Sequence, residues 1–106
     1  MFHVKPFLYV RTELSIPGTG KAVHLAELEP LDDTLCRLYR MIELDAHGSI
    51  VGAMNHGKTV GGSQQPNELV PHPDTYEQYP DITAEMLNER EFEGLWSEAR
   101  AIFPEL

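Results

Sequence analysis

Leu87-Asn88-Glu89-Arg90-Glu91-Phe92-Glu93-Gly94-Leu95-Trp96-Ser97-Glu98-Ala99 decides the fold class. Asn88 can cap a helix, and Glu91 three residues later completes a capping box. Leu87 and Phe92 are placed to clasp across that cap as a hydrophobic staple. Phe92, Leu95, Trp96, Ala99, Ile102 and Phe103 fall on one stripe at helical spacing. A stripe of that size has to be buried against another element, and the strands upstream are the candidates. Gly94 costs the helix about 1 kcal/mol relative to alanine, for which a close approach to the sheet is one explanation.

Working back from the helix, residues 7–14 alternate as a half-buried strand. Leu8, Val10, Thr12 and Leu14 take one face; Phe7, Tyr9, Arg11 and Glu13 take the other. Residues 21–29 read as a second strand. Residues 35–45 are the longest strand, with Cys36, Leu38, Ile42 and Leu44 sharing a parity that points them inward. Arg40 shares that parity, and an inward Arg needs a partner. Glu27, Glu29 and Glu43 are the structural candidates, and an anionic ligand is the functional one.

Asp45-Ala46-His47-Gly48-Ser49 is a hairpin turn with Gly48 in the left-handed position. A three-residue loop pairs Leu44 with Ile50 and Ile42 with Gly52, which keeps the apolar residues on one face. Residues 57–68 have loop composition. Residues 66–81 carry prolines at 66, 71, 73 and 80 and should run extended. Residues 83–87 suggest one helical turn before the main helix. Together these readings predict a single α+β domain over 1–106. It would be a meander of about four antiparallel strands with the C-terminal helix packed on one face, and a Gly/Pro-rich loop and extended segment at about 57–81.

Composition excludes several function classes. The net charge is -9, and it is uneven. Residues 1–65 hold 6 Lys/Arg against 7 Asp/Glu, whereas residues 66–106 hold 2 against 10. Such a surface repels nucleic acid and speeds encounter with a basic protein; alternatively it only keeps the chain in solution. No apolar run reaches the roughly 20 residues that span a bilayer. The chain start lacks signal-peptide character, and Cys36 is the single cysteine. Both features point to a cytoplasmic protein.

Gly52-Ala53-Met54-Asn55-His56-Gly57-Lys58-Thr59 matches the letters of a P-loop. A phosphate cradle needs a helix to begin at its end, and Val60-Gly61-Gly62-Ser63 does not start one. The histidines at 3, 24, 47, 56 and 72 form no HxH, HxxxH or HExxH pair. No metal site is therefore expected. Cys36 reads as a small buried hydrophobe. No cofactor motif or nucleophile signature points to an enzyme.

Two surfaces remain as candidates. Asp74, Tyr76, Glu77, Tyr79 and Asp81 set two aromatics among carboxylates, a pattern suited to a basic protein partner; the tyrosines could equally staple the segment to the body. Tyr9, Arg11, Arg37 and Tyr39 could line a ligand pocket on the sheet face left open by the helix. The expected function is a non-enzymatic protein-binding module, with a small-molecule binder or minor enzyme as the alternative. Oligomeric state is not legible.

Arg40-Met41-Ile42-Glu43-Leu44, the turn through Gly48, Ile50, and Glu91 through Ala99 resemble a family of short bacterial proteins known as a domain of unknown function. The resemblance implies a small antiparallel sheet followed by a C-terminal helix. Some members of that family resemble immunity proteins, which would imply neutralising a toxin by binding it.

Overall fold

The computed structural model describes residues 7–16, 20–61, 68–79 and 82–106. The strands are β1 (Leu8–Ile16), β2 (Gly20–Pro30), β3 (Leu35–Leu44), β4 (Ile50–Asn55), β5 (Lys58–Gly61), β6 (Leu69–Pro71) and β7 (Ile82–Leu87). A 3₁₀ segment spans Pro73–Gln78, and the helix α1 spans Glu89–Ile102. The fold is α+β, with every strand pairing antiparallel. The sheet has seven strands among the described residues rather than about four, ordered β5-β4-β3-β2-β1-β7 with β6 on β3. None of the described helices is long and apolar enough to cross a membrane.

The extra strands lie where local composition argued otherwise. β7 occupies the stretch read as a helical turn. Ala84, Glu85, Met86 and Leu87 are good helix formers, but pairing with β1 from Tyr9↔Leu87 to Leu14↔Ile82 overrides that preference. β5 returns against β4 through His56 (φ 50°) and Gly57 (φ 87°), a two-residue connection with both residues left-handed. The P-loop letters thus span a hairpin, and β5 follows where a phosphate site would need a helix. Gly61 (φ 67°) ends β5 in a tight place. A Cβ there would lie 2.6 Å from the Val51 carbonyl oxygen and 2.7 Å from Phe103 Cζ. The stretch read as extended, 66–81, is broken by the 3₁₀ segment, whose first turn His72 caps by accepting from Asp74 N.

The β3–β4 turn follows the expected plan. Gly48 has φ 87°, the Asp45 carboxylate accepts from the His47 and Ser49 amides, and Leu44 pairs with Ile50. One residue further in, the register departs from the expected Ile42–Gly52 pair. Glu43 pairs with Gly52 and Ile42 with Ala53, because Val51 is an extra residue on β4.

A second bulge changes the reading of β3 more deeply. Glu27 pairs with Arg40 but Leu28 pairs with Leu38, so Tyr39 is the extra residue. At the same point the far edge of β3 changes partner, from β6 at Leu35–Arg37 to β4 at Arg40–Leu44. A bulge reverses side-chain parity. The expected single inward row, Cys36-Leu38-Ile42-Leu44, is therefore split between two faces.

One face, under α1, carries Tyr9, Val23, Leu25, Ile42, Leu44, Ala53 and Val60 packed against Phe92, Trp96 and Ala99. The opposite face carries Val10, Leu28, Cys36, Leu38, Met41 and Met54, with Val70 and Tyr76 packed on them. The 3₁₀ segment thus covers part of the second face.

The helix start matches the expected capping box: Asn88 Oδ1 accepts from Glu91 N (2.8 Å), and Glu91 Oε1 accepts from Asn88 N (3.1 Å). Phe92, Trp96 and Ala99 are buried, and Leu87 packs on the same cluster as Phe92. Ile102, counted in the apolar stripe, is 53% exposed. Gly94 is exposed, with open space where a Cβ would stand. Close approach to the sheet is therefore not its reason. Gly94→Ala should stabilise the protein by about 0.5–1 kcal/mol through propensity alone. A denaturant midpoint that falls instead would contradict this placement of the residue.

Candidate functional site

Two polar arrangements stand out, one inside the molecule and one at its surface. The inner one begins with Arg40. The Tyr39 bulge turns it to the helix side, where its Nε and Nη2 donate to the two Glu27 carboxylate oxygens at 2.7 Å each. Its Nη1 and Nη2 donate to Glu93 on α1 at 3.1 and 2.8 Å. Tyr9 donates its hydroxyl to Glu27 Oε2 at 3.0 Å. The guanidinium also lies 5.0 Å from the ring centroids of both Phe92 and Trp96. Hydrogen bonds to Glu27 raise the Arg40 pKa well above its ordinary value. Burial, then the bond to Glu27, pushes Tyr9 up to about 12.

This network joins sheet to helix. Of the two readings of Arg40, the structural pair with Glu27 describes its surroundings. Glu27 is only 6% exposed, and both ends of the guanidinium are occupied by carboxylates.

The expected ligand-pocket residues lie on this same helix side, not on an open face. Tyr9 is buried beneath α1 at 4% exposure. Arg11 pairs with Glu13 on its own strand, Nη1 to Oε2 3.5 Å. Arg37 is held between Glu29 (3.6 Å) and Glu68 (3.7 Å). Tyr39 donates to Glu29 at 3.0 Å and meets the Phe7 ring edge-on. Each cation already has its own carboxylate, and the arginines converge on no common point. The parity of β1 was read correctly. The error was which of its faces the helix would take.

The outer arrangement is a groove between the 3₁₀ segment and β7. It is about 370 Å³ in volume and lined by Pro73, Asp74, Tyr76, Glu77, Ala84 and Met86. Tyr76 packs by its ring on the second-face cluster, and burial raises its pKa. It therefore serves as the staple that holds the segment down and also as a wall of the groove. The Asp74 side chain is 86% exposed, and Glu77 is exposed on the same segment. Met86 is 53% exposed, an apolar floor open to solvent beside two carboxylates.

Three of the five residues read as a partner surface, Asp74, Tyr76 and Glu77, thus meet in one depression. Tyr79 is exposed at the end of the segment and does not line the groove. Asp81 lies outside the described residues. Ala84 and Met86 were missed. The alternation Ile82-Ala84-Met86 was their signal, obscured by the helix-forming character of the stretch.

Other candidates carry less. Cys36 is fully buried, and burial raises its thiol pKa, the opposite of a reactive thiolate. His24 sits 3.9 Å from Glu43, with its pKa lowered by burial. Among the described residues no three His, Cys, Asp or Glu side chains are grouped to hold a metal ion. Comparison of the chain with protein families, with curated proteins and with solved structures gives no significant match.

Proposed function

We propose that the chain is a non-enzymatic binding module for a basic protein, with the groove between the 3₁₀ segment and β7 as its contact surface. Inhibition of that partner, in the manner of an immunity protein, is the form of function this reading favours. One observation carries it: the solvent-open residues Met86 and Ala84 of β7 line one groove with the exposed Asp74 and Glu77 of the 3₁₀ segment. An apolar anchor beside exposed charge is the composition of a protein contact. The excess of 10 Asp/Glu over 2 Lys/Arg in residues 66–106 supplies the steering field.

The test is kinetic. A partner captured from cells of the source organism is measured against defined variants. Raising salt from about 50 to 500 mM should slow association, because screening shortens the reach of the charges to a few Å. Asp74→Asn with Glu77→Gln should also mainly slow association. Met86→Ala should mainly speed dissociation, through loss of apolar contact in the groove. Tyr76→Ala is a poorer probe, because that ring also packs on the second-face cluster. If all these changes leave both rates intact, the groove is not the contact surface and the acidic third only solubilises the protein.

A further inference from the structure

The position of β7 in the sheet adds a mode of recognition to this reading. Among the described residues no strand lies beyond β7. β1 takes one edge over all of Ile82–Leu87. In an antiparallel ladder only alternate residues direct N–H and C=O to a given neighbour. The remaining backbone groups of β7 face outward from the open edge. Such an edge is a template for another strand unless it is blunted by Lys, Pro, a bulge or short length. β7 has six residues, pairs in unbroken register with β1, and contains neither Lys nor Pro. The opposite edge strand, β5, has four residues and carries Lys58.

Both faces beside that edge are acidic. Ala84 and Met86 point to the groove rimmed by Asp74 and Glu77. Glu85, of opposite parity, lies on the α1 side in register with Arg11, and the first helical turn adds Glu89 and Glu91 against Arg90. A second copy of this chain could pair its own β7 there, with Ala84 opposite Ala84, Thr83 opposite Glu85 and Ile82 opposite Met86. That arrangement would bring two surfaces of the same strong negative charge together. Charge complementarity favours a cationic occupant instead.

We propose that the partner docks as an extended basic segment that adds a strand to the open edge of β7. Its backbone pairs with the outward N–H and C=O groups of Ile82–Leu87. Its alternate side chains fall into the groove between Asp74 and Glu77 and onto Glu85 on the helix side. This rests on the groove as the contact surface, and it specifies the partner's conformation and charge.

The probe is the capped peptide Lys-Val-Lys-Thr-Lys-Val-Lys, titrated into the full chain and followed by calorimetry and amide hydrogen exchange. Binding should be accompanied by exchange protection of the outward amides within residues 82–87. The same peptide N-methylated at two adjacent central residues keeps its side chains and charge but is blocked on both edges. It should bind at least about tenfold more weakly, because one of the two methyl groups replaces an N–H that would donate to β7 and its bulk holds the two strands apart. A Glu-for-Lys version should not bind.

Absence of binding, or protection elsewhere, overturns strand addition. So does protection of residues 82–87 in the free protein together with a dimeric mass, which would identify a second copy as the occupant. Equal affinity of the methylated peptide, with loss of binding in Asp74→Asn with Glu77→Gln, rejects strand addition while leaving the groove reading intact. Indifference of the captured partner's rates to the groove variants rejects the groove reading itself.

Discussion

Trp96→Ala is expected to remove about 3–5 kcal/mol of stability, enough to unfold much of a domain whose total is about 5–15 kcal/mol. The ring is 6% exposed and packs within the helix-side core. It stacks on Phe92 with centroids 6.1 Å apart and lies 5.0 Å from the Arg40 guanidinium. Truncation to alanine therefore leaves a cavity under α1 and uncovers one side of a partly buried cation. Denaturant melts at neutral pH provide the check. Phe92→Ala should match or exceed the effect, since Phe92 is fully buried and also packs against Tyr9. A loss below about 1 kcal/mol for Trp96→Ala would mean that this face of α1 does not anchor the helix.

The second large effect comes from the buried network. Glu27→Ala should cost about 3 kcal/mol or more, because it strands the Arg40 guanidinium under the helix with only Glu93 to receive it. Arg40→Met in the same background should recover much of that loss, since removing both members of a buried pair is far less costly than removing one. Equal stability of the single and double variants would mean that Arg40 is not held by Glu27.

Alkaline pH tests the same network through Tyr9. Its folded pKa is raised from 10.0 to about 12 by burial and by donation to Glu27. The folded state therefore binds the proton more tightly than the unfolded state, and stability must fall as pH rises from about 10 toward 12. Tyr9→Phe should flatten that part of the pH profile. A profile unchanged by Tyr9→Phe would show that the hydroxyl is not buried against the carboxylate.

Much of the helix was legible locally. The cap at Asn88, the reciprocal bond from Glu91, and burial of Phe92 and Trp96 all follow from residues within a few positions of one another. The hairpin through Gly48 was legible for the same reason: the turn chemistry of Asp45 and Gly48 is contained in five residues. The parity of β1 was readable because its pairings with β2 and β7 contain no extra residue.

β3 was not, because its bulge at Tyr39 answers to neighbours distant in sequence. Alternation carried through residue 39 puts Cys36 and Leu38 with Ile42, whereas the bulge sends them to the opposite face. β7 was misread because Ala84, Glu85, Met86 and Leu87 carry helix propensity, and only β1, some seventy residues earlier, makes them a strand. Ile102 shows the limit of a periodic stripe, which marks a direction around the helix but not where the covered surface ends.

The candidate groove followed the same division. Asp74, Tyr76 and Glu77 were found from charge and aromatic content within one segment. Ala84 and Met86 entered only when the sheet brought β7 beside the 3₁₀ segment. Arg40 needed a partner on sequence grounds alone, because a cation of inward parity cannot be left without compensation. Which carboxylate met it was decided by the bulge that turned it under α1, between Glu27 on β2 and Glu93 on the helix. By itself the sequence determined the capped amphipathic helix, the alternating strands and the acidic final third, all properties of short-range periodicity and composition. Tertiary structure alone decided which sheet face the helix covers, the second core behind it, and the open edge at β7. Those depend on pairings between distant segments, and no local pattern records them.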